Sequence, residues 1–442
     1  MSREMKDSGI AWIGEIPKGW NCVSLLQVLR ARISDGPHET PKLVESGIPF
    51  ISVDSLNDTE NIDFEVVKKY ISLEDYKLFS KKTFLEKGDI LFTKSATIGK
   101  TAIVKNDIFM IWSPIAVLKP NDLIYNKYLY LFVSNGYFKD YICQLSTFNT
   151  QFNIGMRTLE KAKICFPPLP EQQKIAEFLD RKCGEIDELV ALQEKMIEEL
   201  KAYKQSVITE AVTKGLNPNA PMKDSGIAWI GEIPKEWNVI KFFRICSIIT
   251  DFVASGSFES LRVNVPYLDF PDYAMLVRTI DLSGKGKASE KVYISKHSYD
   301  FLKNSNLFGG EIILPNIGAS VGDVYIVPQL YEKMSLAPNS IMFKTISYDK
   351  YWYYYFFSKA GKQAIFDICQ STAQSKFNKT DLRNIKVCVP SLLEQQQIAD
   401  YLDKKCAEID ELVAVKQQKI ETLKEYKKSL IYEYVTGKKE VI

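Results

Sequence analysis

Hydrophobic and polar positions along this chain follow a helical rhythm most clearly between residues 185 and 214. Ile186, Leu189, Val190, Met196, Ile197, Leu200, Tyr203, Val207 and Ile208 fall at spacings of three and four among Glu and Lys, with no Gly or Pro between them. Begun after Pro167–Pro170, this pattern predicts a helix of about 40 residues, ~60 Å long at 1.5 Å per residue. Ile409, Leu412, Val413, Ile420, Leu423, Tyr426, Leu430 and Ile431 repeat the stripe beyond Pro390. A lone amphipathic helix of that length cannot bury its apolar face. The two stripes are therefore expected to pack on each other as an antiparallel coiled coil with pseudo-two-fold symmetry, through Ile186, Leu189, Ile197 and Leu200 on one side and Ile409, Leu412, Ile420 and Leu423 on the other.

The rest of the chain reads as α/β. Short β-type runs, bounded by Gly, Pro, Asn and Asp, occur at Ile48–Val53, Asp89–Phe92, Ile103–Val104, Ile164–Phe166, Ala274–Val277, Glu311–Leu314, Val324–Val327 and Lys386–Val389. Aromatic-rich helical stretches stand between them at Lys127–Tyr141 and Asp349–Asp367.

A duplication organises these elements. MKDSGIAWIGEIPKGWN at Met5–Asn21 recurs at Met222–Asn238 with one change, Gly19 against Glu236, and Leu169–Gly215 matches Leu392–Lys438 at 28 of 47 positions. A repeat of more than 200 residues is far longer than a solenoid unit and marks a duplicated domain. The stretches between the matched blocks, 22–165 and 239–388, are alike in length and mostly unlike in sequence. Surviving signals face each other, GDILFTKSATIGK (Gly88–Lys100) with GEIILPNIGASVGD (Gly310–Asp323), so one fold with different loops is expected in both. The expected divisions are 1–165, 166–220, 221–388 and 389–442.

Composition narrows the classes. With 442 residues, 46% hydrophobic, the chain has material for real cores, and 57 Lys+Arg against 55 Asp+Glu exclude a polycation that coats nucleic acid by bulk charge. The middles carry a slight positive excess and the helical blocks a slight negative one, so phosphate contact is expected to be local and confined to the middles. The charged opening and the lack of any long apolar run indicate a soluble chain without an export signal or membrane span. Eight cysteines without a CxxC pair, and only His38 and His297, are poor material for zinc and read as reduced intracellular thiols. Cys165, Cys388, Cys183 and Cys406 are expected to be packing residues.

No catalytic motif is complete. Gly99-Lys100-Thr101 closes a phosphate-binding loop, but Lys94 stands where its first glycine belongs. Phe166-Pro167-Pro168-Leu169 lacks both the leading polar residue and the trailing aromatic of an amino-methyltransferase tetrapeptide, and reads as a strand-to-helix turn. The aromatic run Tyr351–Phe357 has helical spacing and reads as core. Two domains of one fold with different loops suit a reader of two short elements on one ligand, for which DNA is the natural candidate. A non-catalytic, pseudo-dimeric adaptor that binds proteins is the alternative.

The segments DSGIAWIGEIPKGWN, SDGPHETP, GIPFISV, GDILFTKSATIGKTAIV and PPLPEQQKIAEFLDRKCGEIDELV resemble the specificity subunit of Type I DNA restriction–modification systems. The resemblance spans nearly the whole chain, and the PLPEQQKIA block, present twice, is its most specific part. It implies two target-recognition domains, each reading one half of a split, asymmetric site on double-stranded DNA, and a coiled-coil spacer docking two modification (adenine methyltransferase) subunits, to which a restriction–translocase subunit adds. It implies no cofactor and no catalytic site of the chain's own, and a cytoplasmic location. The second copy departs by reading PSLLEQQQIA, without a counterpart of Pro170, which bears on where its helix starts.

Polar residues in or beside turn-rich stretches are the expected contacts, loops entering the major groove and Lys or Arg holding phosphate. In the first domain these are Thr40, Lys42, Lys94, Ser95, Thr97, Lys100, Asn149, Gln151 and Asn153. In the second they are Ser257, Arg262, Arg278, Asn316, Ser320, Gln374, Lys376 and Asn378. Gly88, Gly99, Gly310 and Gly322 are expected to serve turn geometry.

Overall fold

The computed structural model describes residues 3–57, 59–145, 153–284, 290–369 and 375–441. It divides into two compact units, one made of residues 1–194 and 417–442, the other of residues 195–416. Both unit boundaries fall inside the long helices, which run over Leu169–Lys214 (46 residues) and Leu392–Val435 (44 residues). The two starts are equivalent positions of the repeat. Pro170 is therefore not what begins the first helix; proline is tolerated in a first turn but not needed there.

In the first unit, strands Ser34–Asp35, Ile115–Leu118, Ile90–Thr93 and Thr101–Ile103 form an antiparallel sheet in that order. Ile90, Phe92, Ala116 and Leu118 join one core, while Leu91, Ala102, Ile115 and Val117 join another. Burial on both faces explains why these strands read as unbroken apolar runs. A second sheet is ordered Met110–Ile111, Ile48–Ile51, Tyr70–Ile71, Leu43–Val44. The second unit repeats the first sheet with Cys246–Asp251, Ser340–Thr345, Ile312–Pro315 and Tyr325–Ile326, again buried on two sides. Each predicted aromatic helix is two: Asn126–Val133 and Gly136–Leu145, then Asp349–Phe357 and Lys359–Asp367. The second break is capped by Ser358, whose hydroxyl accepts from the Gly361 N–H at 3.1 Å.

Within each unit the helix segments pair antiparallel. In the first, the Phe178 and Tyr434 rings pack at a tilt with centroids 4.6 Å apart and Lys427 binds Asp187 at 2.7 Å, one number rising as the other falls. In the second, Lys416 Nζ approaches Met196 Sδ at 3.5 Å and Lys204 binds Asp410 at 2.6 Å. Lys204 and Lys427 are repeat equivalents, as are Asp187 and Asp410, so the same ion pair is made once per unit.

The seam follows a heptad, with residues 183, 186, 190, 193, 197 and 200 of the first helix and 406, 409, 413, 416, 420 and 423 of the second shielded. Ile186, Ile197, Ile409 and Ile420 are buried there, and Leu200 and Leu423 half-buried. Leu189 and Leu412, expected in the pairing, are instead exposed, at 45% and 50%. A seam that advances by three and four admits Val190 and Val413 at that level and turns their neighbours outward.

Contrary to expectation, two of the cysteines are not reduced thiols. Strand Asn21–Ser24 pairs antiparallel with Lys163–Phe166, which puts Cys22 opposite Cys165 at a Cα–Cα distance of 4.2 Å, and the two form a disulfide. Its counterpart pairs Val239 with Cys388, where no bond can form.

Candidate nucleic-acid interface

The motif that repeats after each middle has a specific task at the base of the domain. Gln172 is fully buried in the first turn of its helix; its Oε1 accepts from Tyr125 N–H at 2.7 Å, and its Nε2 donates to the carbonyls of Pro167 and Leu123. Gln395 makes the equivalent bonds to Tyr348 N–H and the Pro390 carbonyl. These glutamines fix the helix start to the domain above it by satisfying buried backbone groups. At the far ends, Tyr128 donates to the Val435 carbonyl at 2.9 Å and Tyr351 to that of Val212 at 3.1 Å. Sequence reading singled out the EQQ block without finding this role.

On that base each domain brings two distant segments to one junction. In the first, Lys94 N–H donates to the Pro114 carbonyl and the Lys94 carbonyl accepts from Ile154 N–H, both at 2.8 Å, and Ser95 bridges to Asn153. In the second, Asn316 N–H donates to the Asn339 carbonyl at 3.1 Å, the Asn316 carbonyl accepts from Phe377 N–H at 3.1 Å, and Ile317 bridges to Lys376. The bonding scheme is the same, although the loops share little sequence. Gly99 (φ +88°) and Gly322 (φ +96°) turn the two loops, and an added Cβ would come within 3.0 Å of Lys139 or Phe366. Gly88 and Gly310 also have positive φ.

The expected contact residues distribute around these junctions unevenly. Lys94, Ser95, Thr97, Lys100 and Asn153 come together in the first domain; Asn316, Ser320, Lys376 and Asn378 do so in the second. Thr97, Asn153, Lys376 and Asn378 are exposed. Lys100 reaches back to the Val53 carbonyl at 3.3 Å, and Lys94 is turned inward, its side chain 9% exposed against Asp35. Asn316 is tied to the Phe377 carbonyl at 3.0 Å, while Asn378 caps the helix Lys379–Asn384 through Asp381 N–H. Thr40 and Lys42 are exposed on the segment that leaves strand Ser34–Asp35; Ser257 and Arg262 are exposed on the corresponding segment after Cys246–Asp251, where Ser257 caps a helix. Arg278 stands apart, at the end of strand Ala274–Val277 in a second sheet of this unit, ordered Tyr293–Ile294, Ala274–Val277, Met334–Leu336, Asn306–Leu307, and its guanidinium is clamped on both oxygens of Asp281 at 3.0 Å. Asn149, Gln151 and Gln374 lie outside the described residues. Among the described residues no cluster of His, Cys, Asp and Glu could hold a metal ion, and no helix is long and apolar enough to cross a membrane.

Comparison with known proteins agrees with this duplicated arrangement. The family model described as Type I restriction modification DNA specificity domain matches twice, over residues 17–202 and 234–425. The putative type I restriction enzyme MjaX specificity subunit of Methanocaldococcus jannaschii is 30% identical over 96% of this chain and 95% of its own length. The MjaVIII specificity subunit of the same organism is 25% identical over 96% and 93%. Among solved structures, a chain from a study of complex assembly and conformational transition of the type I R-M system superposes with a TM-score of 0.66 over 95% of this chain and 98% of its own, at 14% identity. The HsdS subunit from Thermoanaerobacter tengcongensis gives 0.52 over 96% and 98%, at 15% identity. At those identities the structures speak for the fold alone.

Proposed function

The chain belongs to the Type I restriction modification DNA specificity family, and from that premise we propose that it reads a bipartite, asymmetric site on double-stranded DNA, one element per domain. The observation that carries this reading is the junction made twice by one scheme of backbone bonds on unlike loops. A shared frame with private loops is what two different short elements require, since base edges in the major groove are told apart by side chains while phosphate contacts only position the protein.

Chemistry on the DNA belongs, in this reading, to partners. Two modification subunits would dock on the helices and flip an adenine from each element for methylation, with a restriction–translocase subunit added to them in the cytoplasm. The outward faces of the helices support two equivalent docking sites, for Leu189 and Leu412, Leu192 and Val415, and Tyr203 and Tyr426 are repeat-related pairs, each member more than 40% exposed. Exposed apolar side chains repeated in this way suit a partner present in two copies.

Titrating the purified full chain against duplex DNA at increasing salt tests the reading. Log affinity should fall linearly with log salt, and neutralising several phosphates would cost about three orders of magnitude between 50 and 200 mM. No measurable affinity for duplex DNA at low salt would favour a protein adaptor.

A further inference from the structure

Strand register reveals an equivalence that the sequences around it conceal. Asp35 lies opposite Ala116, which lies opposite Phe92; Asp251 lies opposite Ile341, which lies opposite Leu314. Phe92 and Leu314 each stand two residues before the junction residues Lys94 and Asn316. The two domains thus place an aspartate at one and the same site, the end of the strand that runs toward the junction.

Both aspartates are shielded, with side chains 1% and 15% exposed, and both are answered by lysine from different parts of the fold. Asp35 Oδ2 lies 3.3 Å from Lys94 Nζ and 3.1 Å from His38 Nε2, and its Oδ1 lies 3.6 Å from Lys82 Nζ. None of these approaches gives the carboxylate a well-formed hydrogen bond. Thr83 donates to the Asp35 carbonyl at 2.6 Å and so holds the Lys82 segment in place. Asp251 Oδ1 instead binds Lys379 Nζ at 2.8 Å, just beyond the bridge at Lys376. Burying a carboxylate is unfavourable unless its partners compensate, and an apolar residue would serve packing as well. A carboxylate at one position with changing partners is better explained by what it does to those partners. It removes rotamer freedom from a long cationic side chain before a ligand arrives.

We propose that Asp35 and Asp251 are equivalent positioning residues, each fixing the lysine that its domain presents to one element of the DNA site: Lys82 in the first domain, where the other Asp35 oxygen faces the buried Lys94, and Lys379 in the second. Their side chains are 59% and 31% exposed, so DNA can reach Lys82 and Lys379 while the aspartates stay covered. The proposal rests on the reading of the chain as a bipartite DNA reader.

Selection of random duplex DNA by the full chain tests it, with wild type, Asp35→Asn and Asp251→Asn compared. Wild type should enrich two elements with a fixed gap. Asp35→Asn should relax discrimination in one element by about tenfold and leave the other intact, and Asp251→Asn should do the reverse. A merely structural role would lower the melting temperature and weaken that domain's binding to every sequence alike, whereas the positioning role leaves melting unchanged and alters which bases the element prefers. Loss of both in either variant, or of neither, overturns the proposal. Should an Asn variant fail to fold, Lys82→Gln and Lys379→Gln must each relax the corresponding element, and unchanged selection by them overturns it equally. A wild-type chain that enriches no two-part motif would instead sink the bipartite reading, and this positioning role with it.

Discussion

Reversing one charge on the helix seam should weaken a unit, and reversing its partner as well should restore it. Lys204 Nζ lies 2.6 Å from Asp410, with side chains 22% and 62% exposed. An ion pair that open to water contributes about 0.2–1 kcal/mol. Lys204→Glu removes that attraction, sets two carboxylates together with repulsion of similar size, and brings a carboxylate to the edge of an apolar seam. The expected cost is about 1–2 kcal/mol. Asp410→Lys alone should cost somewhat less, because Asp410 is the more exposed partner. The double reversal should come within about 0.5 kcal/mol of wild type, a coupling that a double-mutant cycle in urea reads directly. Raising salt should shrink it. Asp187 and Lys427 make the same pair at 2.7 Å in the other unit, and a parallel cycle there should give the same sign. A double reversal no more stable than the sum of its single reversals would refute the antiparallel register, because the two side chains would then not be neighbours.

Other perturbations probe the base of each domain. Tyr128→Phe and Tyr351→Phe should each cost about 1–3 kcal/mol in denaturant unfolding, since each leaves a buried carbonyl at a helix end without its donor; unchanged stability would mean those helix ends are not held by the tyrosines. Leu200→Asp should cost about 1–3 kcal/mol, whereas Leu189→Asp should stay within about 0.5 kcal/mol, and equal costs would contradict the heptad phase. Burial raises the Glu394 carboxyl above its ordinary value, although the Trp237 indole N–H at 2.9 Å draws it back. The folded state therefore holds this proton more tightly than the unfolded chain, and the group's contribution to stability falls as pH rises from the ordinary carboxylate range through the raised value. Glu394→Gln keeps an acceptor for Trp237 and should flatten that part of the pH–stability curve; an identical curve would refute the assignment.

The duplication and the helical stripes were legible because they are local or periodic. Equivalent helix starts at Leu169 and Leu392, and turn glycines at positions 88, 99, 310 and 322, follow from them directly. The phase of the seam was less so: over a few turns, periods of 3.5 and 3.6 admit nearly the same residues, and only packing turns Leu189 and Leu412 outward while keeping Val190 and Val413. What stayed hidden depends on long-range register. Cys22 meets Cys165 across 143 residues, and Asp35 corresponds to Asp251 only through two strand pairings, since SDGPHETP and TDFVASGS share a single aligned aspartate. Polarity and turn chemistry marked residues near the junctions without separating those facing outward, such as Thr97 and Lys376, from Lys94, which a buried carboxylate draws in. The private middles share the junction bonds but not the loop sequences, which is why the frame could be read more fully than the candidate contacts.

Modified-base sequencing of a genome exposed to this chain and its methyltransferase partners tests the central reading most directly. It should show adenine methylation in a motif of two short, unlike elements separated by a fixed gap. Replacing residues 22–165 with the equivalent domain of another family member should change one element and leave the other as it was, because each domain carries its own loops on a shared frame. A single continuous motif, or the alteration of both elements by that one exchange, would contradict it.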